Sequence, residues 1–157
     1  MPKPVSAEPQ SGFTLLELLI VIVIIGILAL LILPNIISAP KKANDTKRKT
    51  DLAAIQRALE EYFIDNNAYP GTAGVADVVL GGVNGPLTTG NPPLMKAVPV
   101  DPKNGNPAQY VYTYTPANSD SSYTLTACLE NSNDTGEDVI APAAPCTTKT
   151  FELVSAN

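Results

Sequence analysis

The sequence predicts an α+β fold in which one long N-terminal helix packs on a small antiparallel sheet. Three observations carry this prediction. A continuous apolar run occupies residues 13–33, an amphipathic stretch with helical spacing follows at 34–69, and short alternating segments typical of strands lie beyond residue 107. The 157 residues suffice for one small domain and one long helix, and they exclude a large multidomain enzyme.

The apolar run from Phe13 to Leu33 contains 21 residues, of which only Thr14, Glu17 and Gly26 are not apolar. A helix of this length reaches about 30 Å, enough to cross the core of a bilayer. One alternative is a buried core helix, but the rest of the chain is too small and too polar to surround one. Another is a secretory signal removed near Ser38. The sequence therefore predicts a single transmembrane helix at 13–33.

Glu17 is the one charged residue inside this run. An unpaired carboxylate is costly in the interior of a membrane, so Glu17 should face a polar partner and not lipid. Gly26, and Pro34 directly after the run, weaken the helix and together predict a hinge where the first segment tilts or locally unwinds. The alternative is the ordinary tolerance of membrane helices for Gly and Pro.

The stretch 34–69 completes the long helix, and Asn66, Asn67 and Pro70 provide its stop. Its apolar residues recur at helical spacing and predict one face that packs on a domain: Leu52, Ile55, Leu59, Tyr62 and Phe63. A basic cluster lies earlier in the stretch: Lys41, Lys42, Lys47, Arg48 and Lys49. We interpret this cluster as a solvated face near lipid head groups, with phosphate contact to DNA as the alternative.

Residues 70–157 predict a globular head, with a Gly- and Pro-rich loop region at 71–107 and a β-sheet at about 108–155. Alternation predicts strands at Tyr110–Thr115, Tyr123–Glu130 and 149–154. The tyrosines of the first strand are interpreted as packing residues, because no basic residues interleave with them. The head has 3 Lys and Arg against 8 Asp and Glu, a balance that disfavours nucleic-acid binding.

A polar leader at 1–12 ends in Gly12, directly before the apolar run. The junction Gly12-Phe13-Thr14-Leu15-Leu16-Glu17, followed by Gly26 and Pro34, resembles that of the type IV pilin and type II secretion pseudopilin family. The resemblance implies a pilin-like fold, cleavage by prepilin peptidase between Gly12 and Phe13, N-methylation of Phe13, and subunit assembly guided by Glu17. Cleavage turns a neutral amide nitrogen into an ammonium, which can pair with the carboxylate of Glu17 in a neighbouring subunit.

The resemblance also implies a single-pass inner-membrane protein with a cytoplasmic N-terminus, which later joins a periplasmic or extracellular filament. The basic cluster after the run favours the opposite orientation, but the junction motif is the more specific signal. The implied partners are identical or related pilin subunits, prepilin peptidase, an inner-membrane assembly platform and membrane lipid.

The predicted function is that of a structural subunit of a type II secretion pseudopilus or a type IV pilus, with the pseudopilus preferred. Alternatives are a membrane-anchored extracytoplasmic binding module and the pilin of a DNA-uptake system. No enzymatic activity is predicted, since a chain without histidine offers no recognisable set of nucleophile, base and orienting group.

Cys128 and Cys146 are the only cysteines. Because the implied topology exports both, a disulfide is expected, with two free thiols as the alternative. The segment 133–140 loosely resembles the acidic calcium loop of type II major pseudopilins, which implies Asp134 and Asp138 as calcium ligands and Glu137 as a further candidate. The alternative is a solvated acidic turn, and no other cofactor is predicted.

Overall fold

A computed structural model describes residues 12–81, 85–104, 106–117 and 120–155, with the side chains of residues 31–37, 75 and 77 excepted. The predicted leader, apart from Gly12, lies outside the described residues. The chain divides into two compact units, Met1–Ile37 and Ser38–Asn157.

Helix α1 runs from Leu15 to Asn66 and has 52 residues. It ends where Asn67 takes a positive φ of 54° and donates its backbone N–H to the Phe63 carbonyl at 2.8 Å, a helix C-terminus of the left-handed type. The stop predicted at the two asparagines is thereby confirmed. Among the described residues, none of the helices has both the length and the hydrophobicity required to traverse a bilayer.

The backbone of α1 stays helical through Pro34 and Pro40. The described backbone therefore shows no local unwinding at Pro34. A proline fixes φ near the helical value and removes only one backbone hydrogen bond, so a long helix can continue across it. The predicted tilt of one segment against the other stays a prediction.

Two short elements lie inside the region 71–107 that was predicted to be a loop. Strand β1 spans Gly74–Val75 and is followed at once by the helical turn α2, Ala76–Val79. The backbone N–H of Ala76 donates to the Tyr112 carbonyl at 2.8 Å, which holds this turn beside the sheet. Elements of two and four residues carry no hydrophobic period, so the sequence pattern could not indicate them.

The head contains a five-stranded sheet in the order β1-β2-β3-β5-β4, and all neighbouring strands are antiparallel. Its other strands are β2 at Thr113–Ala117, β3 at Ser122–Leu129, β4 at Val139–Ile140 and β5 at Lys149–Val154. The predicted third strand is confirmed at 149–154, and the predicted second strand matches β3 within one residue at each end. The first strand begins at Thr113 and not at Tyr110, because the Tyr110 N–H closes a turn onto the Pro107 carbonyl at 3.0 Å.

The predicted apolar face of α1 is buried, as expected. Leu52, Ile55 and Leu59 have no solvent exposure, and Tyr62 and Phe63 pack against the same core at its edge. The sheet contributes buried side chains from β2, β3 and β5: Tyr114, Tyr123, Leu125, Ala127, Leu129 and Phe151. The α+β class is thus confirmed within the unit Ser38–Asn157.

Tyrosine hydroxyls tie the head to carboxylates of α1. Tyr112 donates to Asp51 at 2.8 Å, while Tyr123 and Tyr69 donate to the two oxygens of Glu60 at 2.8 and 2.9 Å. These bonds satisfy the polar end of each ring while the ring itself fills the core. The prediction that the tyrosines pack is confirmed, because Tyr110, Tyr112 and Tyr114 are all buried, and it applies also to Tyr123.

Candidate functional site

The first functional feature is the start of α1, where Thr14 and Glu17 bond to each other. The Thr14 backbone N–H and its Oγ1 hydroxyl both donate to Glu17 Oε2 at 2.8 Å. In return, the Glu17 backbone N–H donates to Thr14 Oγ1 at 3.2 Å. This reciprocal pattern is a capping box, with Thr14 as the N-cap and Glu17 at the third helical position.

The capping box fixes where the Glu17 carboxylate lies. It holds the carboxylate at the helix N-terminus, beside backbone N–H groups and the positive end of the helix dipole. Sequence reasoning identified Glu17 but not Thr14, although the spacing Thr-x-x-Glu is a recognised signal for a helix start. Glu17 is therefore satisfied within its own chain and still reachable from outside.

The junction just before the cap is open to solvent. Phe13 is 88% exposed, and a side-chain atom added at Gly12 would meet nothing within 4 Å. Cleavage of a folded chain is easiest at exposed backbone outside regular secondary structure, and Gly12 and Phe13 both precede the first residue of α1.

The described part of the apolar run has its side chains directed outward. The large apolar residues between Phe13 and Leu30 are between 49% and 88% exposed. Surfaces of this kind on a folded chain mark contact with lipid or with another protein. Gly26 lies within this surface and also has open space around its α-carbon.

The second feature is a buried ionic cluster around Arg48 of α1, within the unit Ser38–Asn157. Its guanidinium has no solvent exposure and binds Asp101 with two bonds, Nε to Oδ2 at 2.6 Å and Nη2 to Oδ1 at 3.0 Å. Nη1 donates to Asp45 at 2.8 Å and to Glu130 at 3.0 Å. Burial opposes the charge, but these bonds outweigh it and raise the pKa of Arg48 above its ordinary value.

This cluster corrects the interpretation of residues 41–49 as one solvated basic face. Arg48 faces inward and Asp45 is 2% exposed, because Asp45 also accepts the backbone N–H groups of Glu130 and Asn131 at 2.9 and 2.8 Å. Lys47 remains at the surface and pairs with Asp51 at 2.7 Å. Arg48 thus connects α1 to the loop before β2 and to the end of β3.

Glu130 completes the cluster. It accepts from Asn44 at 2.9 Å and pairs with Lys103 at 2.8 Å, in addition to its bond from Arg48. Burial alone would favour the neutral acid, but the hydrogen bonds from Lys103, Asn44 and Arg48 together lower the pKa of Glu130. Every charged group of the cluster therefore has a partner inside the head.

The predicted disulfide between Cys128 and Cys146 is present. It joins the end of β3 to the segment before β5, and both sulfurs lie in a small buried cluster with Tyr110. The Tyr110 ring therefore lies apart from the main core. It stacks under Arg48, with 4.6 Å between the guanidinium carbon and the ring centre.

The acidic loop does not have the arrangement predicted for calcium. Asp134 pairs with Lys49 at 2.7 Å and also accepts the Gly136 N–H at 3.1 Å, while Glu137 and Asp138 are exposed. In the part of the chain that the structure describes, no group of three or more acidic, Cys or His residues is placed to hold a metal ion.

The chain combines an exposed apolar helix surface, a capped carboxylate at the start of that helix and a small disulfide-linked sheet domain. This combination is that of prepilin-like filament subunits. Comparison with protein families agrees with this class. Residues 9–33 match the prokaryotic N-terminal methylation motif, and residues 35–141 match protein G of the type II secretion system. The chain belongs to the type II secretion system protein G family.

Curated relatives support the assignment. The type II secretion system core protein G of Pseudomonas aeruginosa is 43% identical over 110 residues, which cover 65% of this chain and 73% of the relative. That of Aeromonas hydrophila is 43% identical over 106 residues, covering 64% and 71%. That of Vibrio cholerae is 40% identical over 104 residues, covering 65% and 70%. No solved structure matches the chain.

Membership of this family makes the chain a pseudopilin, a structural subunit of the type II secretion pseudopilus. A pseudopilin with a prepilin-type N-terminus is anchored in a membrane before it joins the periplasmic filament. The choice between pseudopilus and type IV pilus, which the sequence pattern left open, is resolved in favour of the pseudopilus.

Proposed function

We propose that prepilin peptidase cuts between Gly12 and Phe13, that the new amine of Phe13 is N-methylated, and that this amine then pairs with Glu17 of a neighbouring subunit. The observation that carries the proposal is the position of Glu17, fixed by Thr14 at the start of α1 and four residues from an exposed Phe13. A carboxylate already oriented at the helix end needs little reorganisation to accept an ammonium.

Hydrolysis of the Gly12–Phe13 bond adds one water, which leaves a carboxylate on Gly12 and an ammonium on Phe13 at neutral pH. The bonds from Thr14 keep Glu17 satisfied until that ammonium arrives. Between helices in lipid, apolar packing gives no hydrophobic gain, so a polar pair can select one axial register. The pair would therefore contribute specificity more than net stability.

The subunit, on this proposal, is a single-pass inner-membrane protein with a cytoplasmic N-terminus until an assembly platform extracts it. The exposed apolar side chains from Phe13 to Leu30 are suited first to lipid and then to the helices of other pseudopilin subunits. Gly26 and Pro34 would let this part of α1 adjust during that transfer, since both residues weaken a helix locally.

A structural and non-catalytic role is supported by how the polar groups of the head are used. The carboxylates and cations around Arg48 bond to one another across three chain segments. DNA contact through the basic cluster is not favoured, because three of its five cations are already engaged: Arg48 is buried, and Lys47 and Lys49 are paired with Asp51 and Asp134.

Intact-mass analysis and N-terminal sequencing of membrane-extracted protein test the processing step. We expect a chain that starts at N-methylated Phe13. Gly12→Val, which places a β-branched side chain at the junction, should leave the leader attached, and Gly26→Val is the matched control that should be cut normally. Fibres built from chains that retain residues 1–12 would contradict the proposal.

A further inference from the structure

The acidic loop between β3 and β4 contains one carboxylate whose two oxygens are both engaged. Asp134 Oδ2 accepts from Lys49 Nζ at 2.7 Å, and Oδ1 accepts the Gly136 N–H at 3.1 Å. The side chain of Asp134 is 17% exposed and that of Lys49 is 30% exposed, so the pair is partly shielded from solvent. Lys49 lies on α1, 85 residues before its partner.

The ammonium of Lys49 lies directly against this loop. A β-carbon added at Gly136 would stand 3.3 Å from Lys49 Nζ and 3.3 Å from Asp134 Oδ1. On its other side, Nζ is 5.6 Å from the centre of the Phe151 ring, in the range of a cation–π contact. Three separate elements therefore surround one positive charge: α1, the loop and β5.

The electrostatics agree with this geometry. The hydrogen bond from Lys49 lowers the pKa of Asp134, and the Gly136 N–H and the charge of Lys149 act in the same direction. The carboxylate is consequently ionised and neutralised within the chain.

The loop does not fit calcium as it stands. Calcium takes six to eight oxygen ligands at about 2.3–2.6 Å. An ion bound at Asp134 would have to displace an ammonium at hydrogen-bond distance, and the nearby charge of Lys149 would repel it. Asp138 already uses its backbone carbonyl to accept the Glu152 N–H at 3.0 Å, which fixes the far end of the loop to β5.

We propose that the ammonium of Lys49 takes the place of a divalent cation in the 133–138 loop, so that this pseudopilin closes its acidic loop onto α1 without a metal. The lysine and a cation would then compete for the same carboxylate. Removal of the lysine should weaken the closure and at the same time make Asp134 available to calcium.

The test compares the full chain in detergent as wild type, Lys49→Met and Lys47→Met. Near-ultraviolet circular dichroism reports on the unit Ser38–Asn157, because all six tyrosines lie in it and the chain has no tryptophan. In EDTA, we expect the melting temperature of Lys49→Met to fall by about 2–5 °C and that of Lys47→Met, whose pair is more exposed, by about 1 °C or less. Equal losses in the two variants would overturn the proposal.

A second measurement, in excess calcium chloride, then distinguishes a loop that closes without metal from one that requires metal. We expect calcium to raise the melting temperature of Lys49→Met and to leave the wild type unchanged, and adding Asp134→Asn to Lys49→Met should abolish the response. A wild type that responds as much as Lys49→Met, including no response in either, would overturn the proposal. So would a calcium response that survives Asp134→Asn.

Discussion

The apolar start of α1 and the head are built on opposite patterns. From Phe13 to Leu30 the apolar side chains face outward, and the single charge, Glu17, is satisfied by Thr14 three residues away. In the unit Ser38–Asn157 the apolar side chains of the core face inward, and Arg48 reaches partners that are 53 and 82 residues distant. The first region presents an apolar surface to lipid or to another protein, whereas in the second the buried charges of Arg48 and its carboxylates neutralise one another.

The comparison predicts that charge changes in the two regions have separable effects. Glu17→Leu should reduce pseudopilus formation in electron micrographs of overexpressing cells to below detection, because the pairing partner of the Phe13 amine is lost. The melting temperature of the head should not change. This is the largest effect expected, since assembly depends on the same contact at every subunit.

Two further variants separate charge from helix capping. Glu17→Gln keeps a hydrogen-bond acceptor at the third helical position but has no charge, and Thr14→Ala removes the cap but keeps the carboxylate. If charge pairing drives assembly, Glu17→Gln should fail while Thr14→Ala still yields filaments. Wild-type filament yield from Glu17→Gln would refute the pairing.

The converse variant removes the buried charge of Arg48. Arg48→Met would leave the carboxylates of Asp45, Asp101 and Glu130 without their common partner and should lower the free energy of unfolding by about 3–5 kcal/mol. Urea unfolding followed by tyrosine circular dichroism measures the loss. Arg57→Met, at an exposed position where the side chain donates to the Ala53 carbonyl of its own helix, is the matched control and should cost about 0.5 kcal/mol or less. A loss below about 1 kcal/mol for Arg48→Met would mean that the cluster is not needed for stability.

Features of the fold and of the site could be predicted from the sequence where they depend on residues close together in the chain. The apolar face of α1, strand β5 and most of β3 were predictable, because hydrophobic periodicity is a local property. The burial of Arg48 was not predictable, because its partners Asp101 and Glu130 lie in distant segments. A run of basic residues does not by itself indicate which of its side chains point inward. Thr14 is a different case, since its capping signature was present within four residues.

The disulfide gives the next largest effect. Replacing Cys128 and Cys146 by serine should lower the free energy of unfolding by about 3 kcal/mol in the chain-entropy model, given their separation of 18 residues. Urea unfolding of the oxidised, the reduced and the double-serine protein checks this. The reduced and the double-serine protein should have the same unfolding midpoint. Pseudopilus formation, which depends on Glu17, should be impaired only as far as the head unfolds. Identical midpoints for all three forms would contradict the expectation.

The smallest effect concerns pH. The pKa values of Glu130 and Asp134 are lowered in the fold, so their contribution is complete above their unfolded values of about 4 and is lost as pH falls through the folded values. The melting temperature should stay level from neutral pH to about 5 and then decline. Asp134→Asn should make the decline shallower. A melting temperature that increases between about pH 5 and 3 would have the wrong sign.

The link between Cys128 and Cys146 has a consequence for a subunit that works in a compartment containing proteases. It brackets the exposed residues of the acidic loop, where cleavage of a folded chain is easiest. A nick there would leave both fragments joined through sulfur, with β5 still hydrogen-bonded between β3 and β4. Such a subunit would run as a single band in electrophoresis without reductant and as two bands with it, while its filament stayed whole.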